Sequence, residues 1–369
     1  MNPRVMVFGP AYLDRVLRVD RPLRAGASEL PLDESADGVW KFTGDRSLRV
    51  IDPSGLEIEI EPPDDWPGPS GEVALARPVR AGMVSRTSVR APSWSDDLGG
   101  MGAGFAAALG GTLVCPLGAR DDPAGRQIEG LLARHGIAHE AVRMEQRRAD
   151  WTLLLTSGEH GDKLAIGFRE CLSALQPTAF DRWLGSPCDL RVVAGLPNAV
   201  AAYMLAAPGA RCRLFAPAMR NMVDQAYPVS SFAASIDVLC CNRREWEALA
   251  DREETAWRVS ILVITDGPNG ALARFTKPDG EAGAVQVPAF PRDRPPRDTN
   301  RAGETFASTL ISTLLSEGWD TAPGVVDEPL VHHAMLRASA AAALVLDRPE
   351  FGFPSNGEID DIVIVGIVA

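Results

Sequence analysis

Short runs of apolar residues recur along the chain, and segments of helix length separate them. The first run, 5–8, leads into Gly9 and Pro10, which is typical of a buried strand that ends in a loop. From residue 98 onward, further runs alternate with helical segments; they lie at 111–115, 151–155, 189–194, 213–216, 236–240 and 261–265. This alternation predicts an α/β fold with a doubly wound, mostly parallel sheet and helices on both of its faces.

The segment 19–97 follows a different pattern and is rich in Pro, Gly, Asp and Glu. Within it, residues 48–51 and 56–61 alternate apolar and polar side chains, as strands with one buried and one solvated face do. We therefore predict a β-rich subdomain at 19–97, inserted into a core formed by 1–18 and 98–369. The Pro and charge content also fits a largely disordered segment, and the sequence alone leaves that alternative open.

Composition narrows the class of protein. The chain has 369 residues, of which 46% are hydrophobic and 23% charged, as in ordinary soluble globular proteins. With 37 Lys and Arg against 49 Asp and Glu, its net charge of −12 argues against nucleic-acid binding through phosphate contacts, although a local site can still bind a small anion. No apolar run reaches the roughly 18 residues of a membrane helix, and the N-terminus lacks the apolar run of a signal peptide. We expect a cytoplasmic protein.

The six cysteines give no sign of a metal site. They are Cys115, Cys171, Cys188, Cys212, Cys240 and Cys241. None of them forms a CxxC pair, and no His stands at zinc-ligand spacing. We therefore expect buried, reduced thiols.

The strongest chemical signal is the segment 298–306, which precedes an apolar helix predicted at 307–315. Small residues at a helix start, here Ala302 and Gly303, let backbone N–H groups approach an anion, and the helix dipole favours negative charge there. Glu304 would face the same anion and take a proton from an incoming hydroxyl. A simple capped helix with Glu in its first turn explains the segment equally well.

Three further segments are compatible with ligand binding. The glycines in 98–104 lead into an Ala-rich helix, and 265–270 follows the strand predicted at 261–264. Asn242 and Glu245 follow another strand, and one helix face would let them hold a hydrated Mg²⁺ through water. Close packing, a plain turn and a solvated cap are the respective structural alternatives. Neither a P-loop nor a dinucleotide fingerprint is present.

In this order, the segments make the sequence resemble the ribokinase-like (PfkB) carbohydrate kinase family from end to end. Residues 5–19 look like its first strand and the entry to its lid, and 98–110 is similar to its first signature. Residues 242–245 match its NxxE motif, 265–270 its TxGxxG nucleotide loop, and 298–306 its second signature, DTxGAGD. The resemblance fails over roughly 24–89, where the lid is longer than usual.

The resemblance implies ATP-dependent phosphoryl transfer to a hydroxyl of a sugar or sugar-like substrate such as a nucleoside. It places Glu304 at the catalytic base, and the backbone of Arg301, Ala302 and Gly303, with the N–H of Glu304, at the anion hole. The other implied contacts are Thr265, Gly267 and Gly270 to the nucleotide, Asp14, Gly99 and Gly100 to the acceptor, Asn242 and Glu245 to Mg²⁺ through water, and Asp298 to a monovalent cation such as K⁺.

The sequence departs from the family at several of these positions. Glu304 replaces the usual catalytic Asp, and Arg301 replaces a glycine of the anion hole. On the acceptor side, Gly104 stands for the usual Asn, Met101 for the usual Lys and Tyr12 for a common Asn. The alternative is therefore a non-catalytic member that binds a nucleotide or a sugar. The long lid implies a homodimer paired through exposed strand edges.

Overall fold

The structure is a computed structural model. It describes residues 3–19, 39–42, 48–51, 57–61, 86–90, 93–157, 162–293, 300–319, 321, 324–348 and 351–368. The chain divides into two compact units. The first comprises Met1–Tyr12, Leu98–Asp150 and Arg169–Ala369, and the second comprises Leu13–Asp97 and Trp151–Phe168.

The described strands are numbered in chain order. They are β1 Val5–Phe8, β2 Tyr12–Val19, β3 Val39–Phe42, β4 Leu48–Ile51, β5 Glu57–Glu61, β6 Arg86–Arg90, β7 Ser93–Gly99, β8 Thr112–Leu117, β9 His139–Arg143, β10 Trp151–Ser157, β11 Asp162–Phe168, β12 Cys188–Ala194, β13 Ala210–Ala216, β14 Val238–Asn242, β15 Ile261–Thr265, β16 Ala271–Thr276 and β17 Ala282–Val287.

The described helices are numbered in the same way. They are α1 Met101–Leu109, α2 Pro123–Arg134, α3 Glu170–Ser173, α4 Asp181–Leu184, α5 Asn198–Ala206, α6 Met219–Met222, α7 Arg243–Ala248, α8 Arg252–Ala256, α9 Ala302–Ser316, α10 Glu328–Val345 and α11 Asn356–Val368. Short 3₁₀ turns lie at Pro177–Phe180, Val229–Ser231, Ala233–Ser235 and Gly267–Asn269.

The first unit is built on a nine-stranded sheet with the order β17-β16-β15-β14-β13-β12-β1-β8-β9. The pairings from β9 to β15 are parallel, whereas β16 and β17 continue the sheet antiparallel. The central strands read as continuous apolar runs because both faces are buried; all four residues of β1 are buried. The parallel strands therefore end at one common edge, where open α/β sheets bind ligands.

The second unit contains two four-stranded sheets, with the orders β11-β10-β2-β7 and β3-β4-β5-β6. In the first of them β10 pairs parallel with β2 and antiparallel with β11. The strand predicted at 48–51 is β4, and β5 covers all but the first residue of the run predicted at 56–61. Residues 20–38, 43–47, 52–56, 62–85 and 91–92 of the predicted lid lie outside the described residues.

The predicted α/β class with a mostly parallel, doubly wound sheet and a further β-rich part is confirmed. One strand was placed in the wrong sheet: the run 151–155 belongs to β10, which pairs with β2 in the second unit. An apolar run of this length looks the same in either sheet, since only its pairing partner differs. The second unit accordingly includes 151–168 as well as residues of the inserted segment.

Two glycines let β1 approach the first turn of α1 without side chains between them. A Cβ on Gly102 would lie 2.5 Å from the carbonyl carbon of Gly9, and a Cβ on Gly9 would lie 2.8 Å from the Cα of Gly102. Real Cβ atoms do not come so close to backbone. Gly100, at φ 94°, turns the chain into α1, and a Cβ there would meet the carbonyl oxygen of Pro10 at 2.5 Å.

All six cysteines are buried and unpaired, as the sequence predicts. Burial raises the pKa of each thiol, to about 12 for Cys115, Cys171 and Cys240. Among the described residues, no group of His, Cys, Asp and Glu has the arrangement of a metal site. No helix in the described part of the chain combines the length and the apolar character needed to cross a bilayer.

Candidate active site

The helix α9 begins at the edge of the sheet with the residues of the predicted anion hole. Arg301 occupies the N-cap position, and its carbonyl oxygen accepts bonds from the N–H and the hydroxyl of Thr305, at 2.8 and 2.7 Å. The backbone N–H groups of the first turn have no acceptor within the helix. Ala302 and Gly303 thus present amides at the positive end of a 15-residue helix, and Gly303 is exposed.

The side chain of Glu304 packs against α1 at Gly104. A Cβ on Gly104 would lie 3.2 Å from Cγ of Glu304, 3.5 Å from its Cβ and 3.7 Å from its carboxyl carbon. Because residue 104 has no side chain, the Cβ and Cγ of Glu304, its stem, have room to pack beside α1. Glu304 is half-buried.

Glu304 also lies near the end of β14. Burial raises the pKa of Cys240 to about 12, and the negative charges of Glu245 and Glu304 add to this effect. Both carboxylates therefore act on the same strand end. The structure brings the predicted base and one predicted Mg²⁺ residue to a common part of the sheet edge.

Asn242 and Glu245 form a reciprocal cap on α7. The amide oxygen of Asn242 accepts a bond from the N–H of Glu245 at 2.9 Å, and Oε2 of Glu245 accepts one from the N–H of Asn242 at 2.8 Å. The helix cap, which the sequence offers as the alternative to a magnesium site, is therefore present. It also fixes both oxygen-bearing groups at the end of β14, beside β15, where Asn242 pairs with Thr265.

The predicted nucleotide loop follows β15 directly. The hydroxyl of Thr265 donates to the carbonyl of Cys241 at 3.4 Å, and Gly267 begins a 3₁₀ turn at φ 50°. Gly270 closes the turn at φ 88°, where a Cβ would lie 2.1 Å from the carbonyl oxygen of Val287. Only glycine fits there. An ion pair of 2.6 Å between Asp266 and Arg243 ties the loop to α7.

The remaining predicted residues are distributed between the two units. Gly99 ends β7 and Gly100 caps α1, both in the first unit. Asp14 lies in β2, opposite Thr152 of β10, in the second unit. Asp298 lies outside the described residues.

Arg301 is the one non-glycine residue among the described residues with a positive φ, 68°. Its guanidinium carbon lies 5.7 Å from the ring centre of Phe351, which in turn contacts His135 and Phe353. A left-handed conformation costs a residue with a Cβ about 1–2 kcal/mol. The family that the sequence resembles has a glycine at this position, so this chain bears the strain at the start of α9, where the anion hole is predicted.

A pair of substitutions measures that strain. Arg301→Gly and Arg301→Ala both remove the guanidinium, but only glycine relaxes at φ 68°. We expect the glycine variant to have a free energy of unfolding about 1 kcal/mol above that of the alanine variant, as measured by urea denaturation. Residue 302 is the control for this comparison of glycine with alanine. It has ordinary helical conformation, so Ala302→Gly should lower the free energy of unfolding. Equal stability of the two Arg301 variants would contradict the assignment of strain.

Two arginines, Arg169 and Arg220, lie near Tyr12, which follows β1. The guanidinium carbon of Arg169 lies 3.7 Å from the ring centre of Tyr12, and the charge of Arg220 also acts on the Tyr12 hydroxyl. We call these three residues the arginine–tyrosine cluster. Asp150 lies within the range of both guanidinium charges and accepts bonds from the N–H groups of Cys171 and Leu172, at 2.8 and 3.0 Å. Tyr12 stands at an acceptor-side position according to the family resemblance, whereas nothing in the sequence pointed to Arg169, Arg220 or Asp150.

A buried amide network fixes the backbone that carries Arg220. Asn221 donates to the carbonyl of Leu196 and to Oδ1 of Asn198, both at 2.6 Å, and accepts from the N–H of Ala218 at 2.8 Å. Asn198 donates in return to the carbonyl of Asn221 at 2.8 Å. Arg220 itself donates to the carbonyl of Gly195. These hydrogen bonds therefore hold in place the backbone that carries the Arg220 guanidinium at the sheet edge.

The nine-stranded, mostly parallel sheet with its flanking helices is the ribokinase-like fold. The sequence matches the profile described as pfkB family carbohydrate kinase over residues 76–356. The chain therefore belongs to the pfkB family of carbohydrate kinases. No curated protein sequence matches it.

Several solved structures share the fold at low sequence identity. A ribokinase from Thermotoga maritima superposes with a TM-score of 0.63 and 17% identity, over 98% of this chain and 99% of the other. A Burkholderia thailandensis nucleoside kinase in complex with inosine gives 0.63 and 15%, over 99% of both chains. Phosphofructokinase-2 from Escherichia coli gives 0.59 and 15%, again over 99% of both.

Proposed function

We propose that this protein transfers the γ-phosphoryl group of ATP to a hydroxyl of a sugar or nucleoside. The observation that carries the proposal is Glu304, which lies in the first turn of α9, against Gly104 of α1 and near the end of β14. The Glu304 carboxylate and the backbone N–H groups of the first turn therefore lie together at the start of α9. The family membership and the kinases of the same fold support this reading.

In this reaction the acceptor oxygen bonds to the γ-phosphorus, the bond to the β-phosphate oxygen breaks, and the acceptor proton passes to Glu304. The products are ADP and a phosphate ester. The amides of Ala302 and Gly303 would stabilise negative charge on the transferring group. Thr265, Gly267 and Gly270 would line the nucleotide, and Gly99 and Gly100 the acceptor.

The predicted magnesium residues fit an ion that is held through water. Mg²⁺ prefers oxygen ligands and retains several of its waters, and Asn242 and Glu245 offer an amide and a carboxylate. The amide oxygen of Asn242 and one of the two carboxylate oxygens of Glu245 each accept a bond from a backbone N–H of the cap. When bound, the ion would neutralise charge on the phosphates. A monovalent cation beside Asp298 stays a prediction, as does the homodimer through the lid.

The test is ADP release from MgATP with a panel of sugars and nucleosides, with and without K⁺, alongside nucleotide binding by calorimetry. Acceptor-dependent release supports the proposal. Nucleotide binding without release for any acceptor would favour the non-catalytic alternative, for which Arg301 at φ 68° and the longer acid at residue 304 are the specific reasons.

The contact between Gly104 and Glu304 predicts that the two positions are coupled. Gly104→Asn would fill the space of the Glu304 stem, and Glu304→Asp would withdraw the carboxylate by about 1.5 Å. We expect each single change to lower kcat by roughly tenfold or more. The double variant, which has the pair usual in the family, should lose much less than the product of the two losses.

Gly110→Asn is the matched control for this cycle. Gly110 ends the same helix at φ 63°, a conformation that Asn tolerates, and a Cβ there meets nothing within 4 Å. Its kcat should stay at the level of the unaltered protein. Strictly multiplicative effects in the Gly104 and Glu304 variants would show that the two residues act independently.

A further inference from the structure

Arg301 keeps a strained backbone conformation at the start of α9. Such a conformation persists only where the surrounding structure fixes it. One fixing contact is on the backbone, since the carbonyl oxygen of Arg301 accepts both the N–H and the hydroxyl of Thr305, which is 2% exposed. A second contact is on the side chain, whose guanidinium carbon lies 5.7 Å from the ring centre of Phe351. The strained residue is therefore held at both its carbonyl group and its side chain.

The ring of Phe351 is itself packed against two other rings. The ring centre of His135, at the end of α2, lies 4.6 Å from that of Phe351, and the ring centre of Phe353 lies 5.5 Å from it in an edge-to-face arrangement. All three rings are half-buried. The position of the Phe351 ring therefore depends on packing outside α9.

An ion pair and a helix cap anchor the chain on both sides of Phe351. Arg348, which follows α10, pairs with Oε1 of Glu358 in α11 at 2.5 Å. The other carboxylate oxygen of Glu358 accepts bonds from the N–H and the hydroxyl of Ser355, at 2.7 and 2.8 Å. Phe351 therefore lies on a chain segment with anchored ends.

The contact between Arg301 and Phe351 is comparable in energy to the strain. A guanidinium beside an aromatic face gains about as much as a left-handed conformation costs a residue with a Cβ. The backbone N–H groups of Ala302 and Gly303 directly follow Arg301, so their direction depends on the same conformation. Loss of the contact would let Arg301 relax and turn these N–H groups away from their present direction.

We propose that Phe351 is a positioning residue for phosphoryl transfer: by holding the Arg301 side chain, it keeps the strained start of α9 and the anion-hole N–H groups in place. This inference rests on the proposed function, because it concerns the anion hole of the same site. Phe351 acts through Arg301 and not through contact with the substrate. Glycine needs no such support at φ 68°, so Phe351 is required only while residue 301 carries a side chain.

The experiment combines substitutions at the two positions. Phe351→Ala removes the ring, Phe351→Leu keeps an apolar side chain without an aromatic face, and Phe351→Trp keeps an aromatic face. Phe351→Ala is also combined with Arg301→Gly, and Arg301→Gly and Arg301→Ala are made alone. ADP release gives kcat and the KM for MgATP, calorimetry without nucleotide gives the affinity for inorganic phosphate, and thermal unfolding checks that each variant folds. Tyr203→Ala is the control, since Tyr203 is an exposed ring on α5 whose hydroxyl donates to Asp181.

We expect Phe351→Ala to lower kcat by roughly 2-fold to 30-fold, the range that corresponds to one cation–π contact. The KM for MgATP should change less, because the anion hole acts on the transferring group in the transition state. Phe351→Leu should behave like Phe351→Ala, and Phe351→Trp should retain most of kcat. Tyr203→Ala should leave kcat unchanged.

The variants of Arg301 separate support of the strained conformation from simple packing. Arg301→Ala keeps the strain without the guanidinium, so its kcat should lie below that of Arg301→Gly by a factor similar to the loss in Phe351→Ala. In combination with Arg301→Gly, Phe351→Ala should cause no further loss. The affinity for inorganic phosphate should follow the same order as kcat across these variants.

Two results would overturn the inference. One is a loss from Phe351→Ala, in kcat or, where no acceptor turns over, in phosphate affinity, that is as large with Arg301→Gly as without it. The other is unchanged kcat and phosphate affinity in the folded Phe351→Ala or Phe351→Leu variant. Failure of the proposed function looks different: no acceptor releases ADP with any variant, while the phosphate affinity still follows the expected order.

Discussion

Glu304→Gln should lower acceptor-dependent ADP release by roughly 10²-fold to 10⁴-fold, the usual contribution of a general base. Glutamine has nearly the same shape as glutamate, so it should keep the packing against Gly104. Cγ of residue 304 lies 3.2 Å from the position that a Cβ on Gly104 would take. It cannot take the proton of the acceptor hydroxyl. The loss should therefore appear in kcat, whereas the affinity for MgATP, measured by calorimetry, should change little.

Glu317→Gln is the matched control for this prediction. Glu317 is an exposed glutamate at the other end of α9, where it caps the helix, and the same substitution there should leave turnover unchanged. If Glu304→Gln retains most of its turnover, another group accepts the proton. If it also loses nucleotide binding, the side chain has a structural role.

Gly102→Ala should destabilise the first unit at the upper end of the roughly 1–3 kcal/mol that overpacking costs. The new Cβ would stand 2.5 Å from the carbonyl carbon of Gly9 and 2.8 Å from both its Cα and its carbonyl oxygen. These are backbone atoms in a buried loop, so no flexible side chain gives way. The midpoint of urea or thermal unfolding, followed by circular dichroism, measures the effect.

Gly130→Ala provides the opposite case. Gly130 lies within the helix α2, is exposed, and a Cβ there meets nothing within 4 Å. Alanine at this position should stabilise the protein by about 0.5–1 kcal/mol because it restricts the unfolded chain. If both glycines tolerate alanine equally, β1 and α1 are not packed backbone to backbone.

The sequence predicted the sheet well because buried parallel strands leave an apolar run of strand length. The run 261–265 coincides with β15, and the helix predicted at 307–315 lies within α9. The assignment of 151–155 to the main sheet was wrong for a physical reason. Apolar content shows that a strand is buried, whereas its neighbours are decided by pairings between distant parts of the chain.

The candidate site was predictable where it consists of local motifs. Asn242 and Thr265 each follow a strand, and because β14 and β15 are adjacent and parallel, these two residues pair. The contact of Glu304 with Gly104 was not predictable, since two helices far apart in sequence meet there. The arginine–tyrosine cluster shares this property: no spacing or periodicity connects its members, and only the folded sheet edge brings them together.

Alkylation of the buried cysteines can report which parts of the molecule open to solvent. A thiol reacts with an alkylating reagent as the thiolate, and burial raises the pKa of each cysteine above the value of roughly 8.5 for a solvated cysteine. Their positions span the first unit, from Cys115 on β8 to Cys241 on β14. The order in which the six become alkylated therefore records the order in which parts of that unit expose their interior.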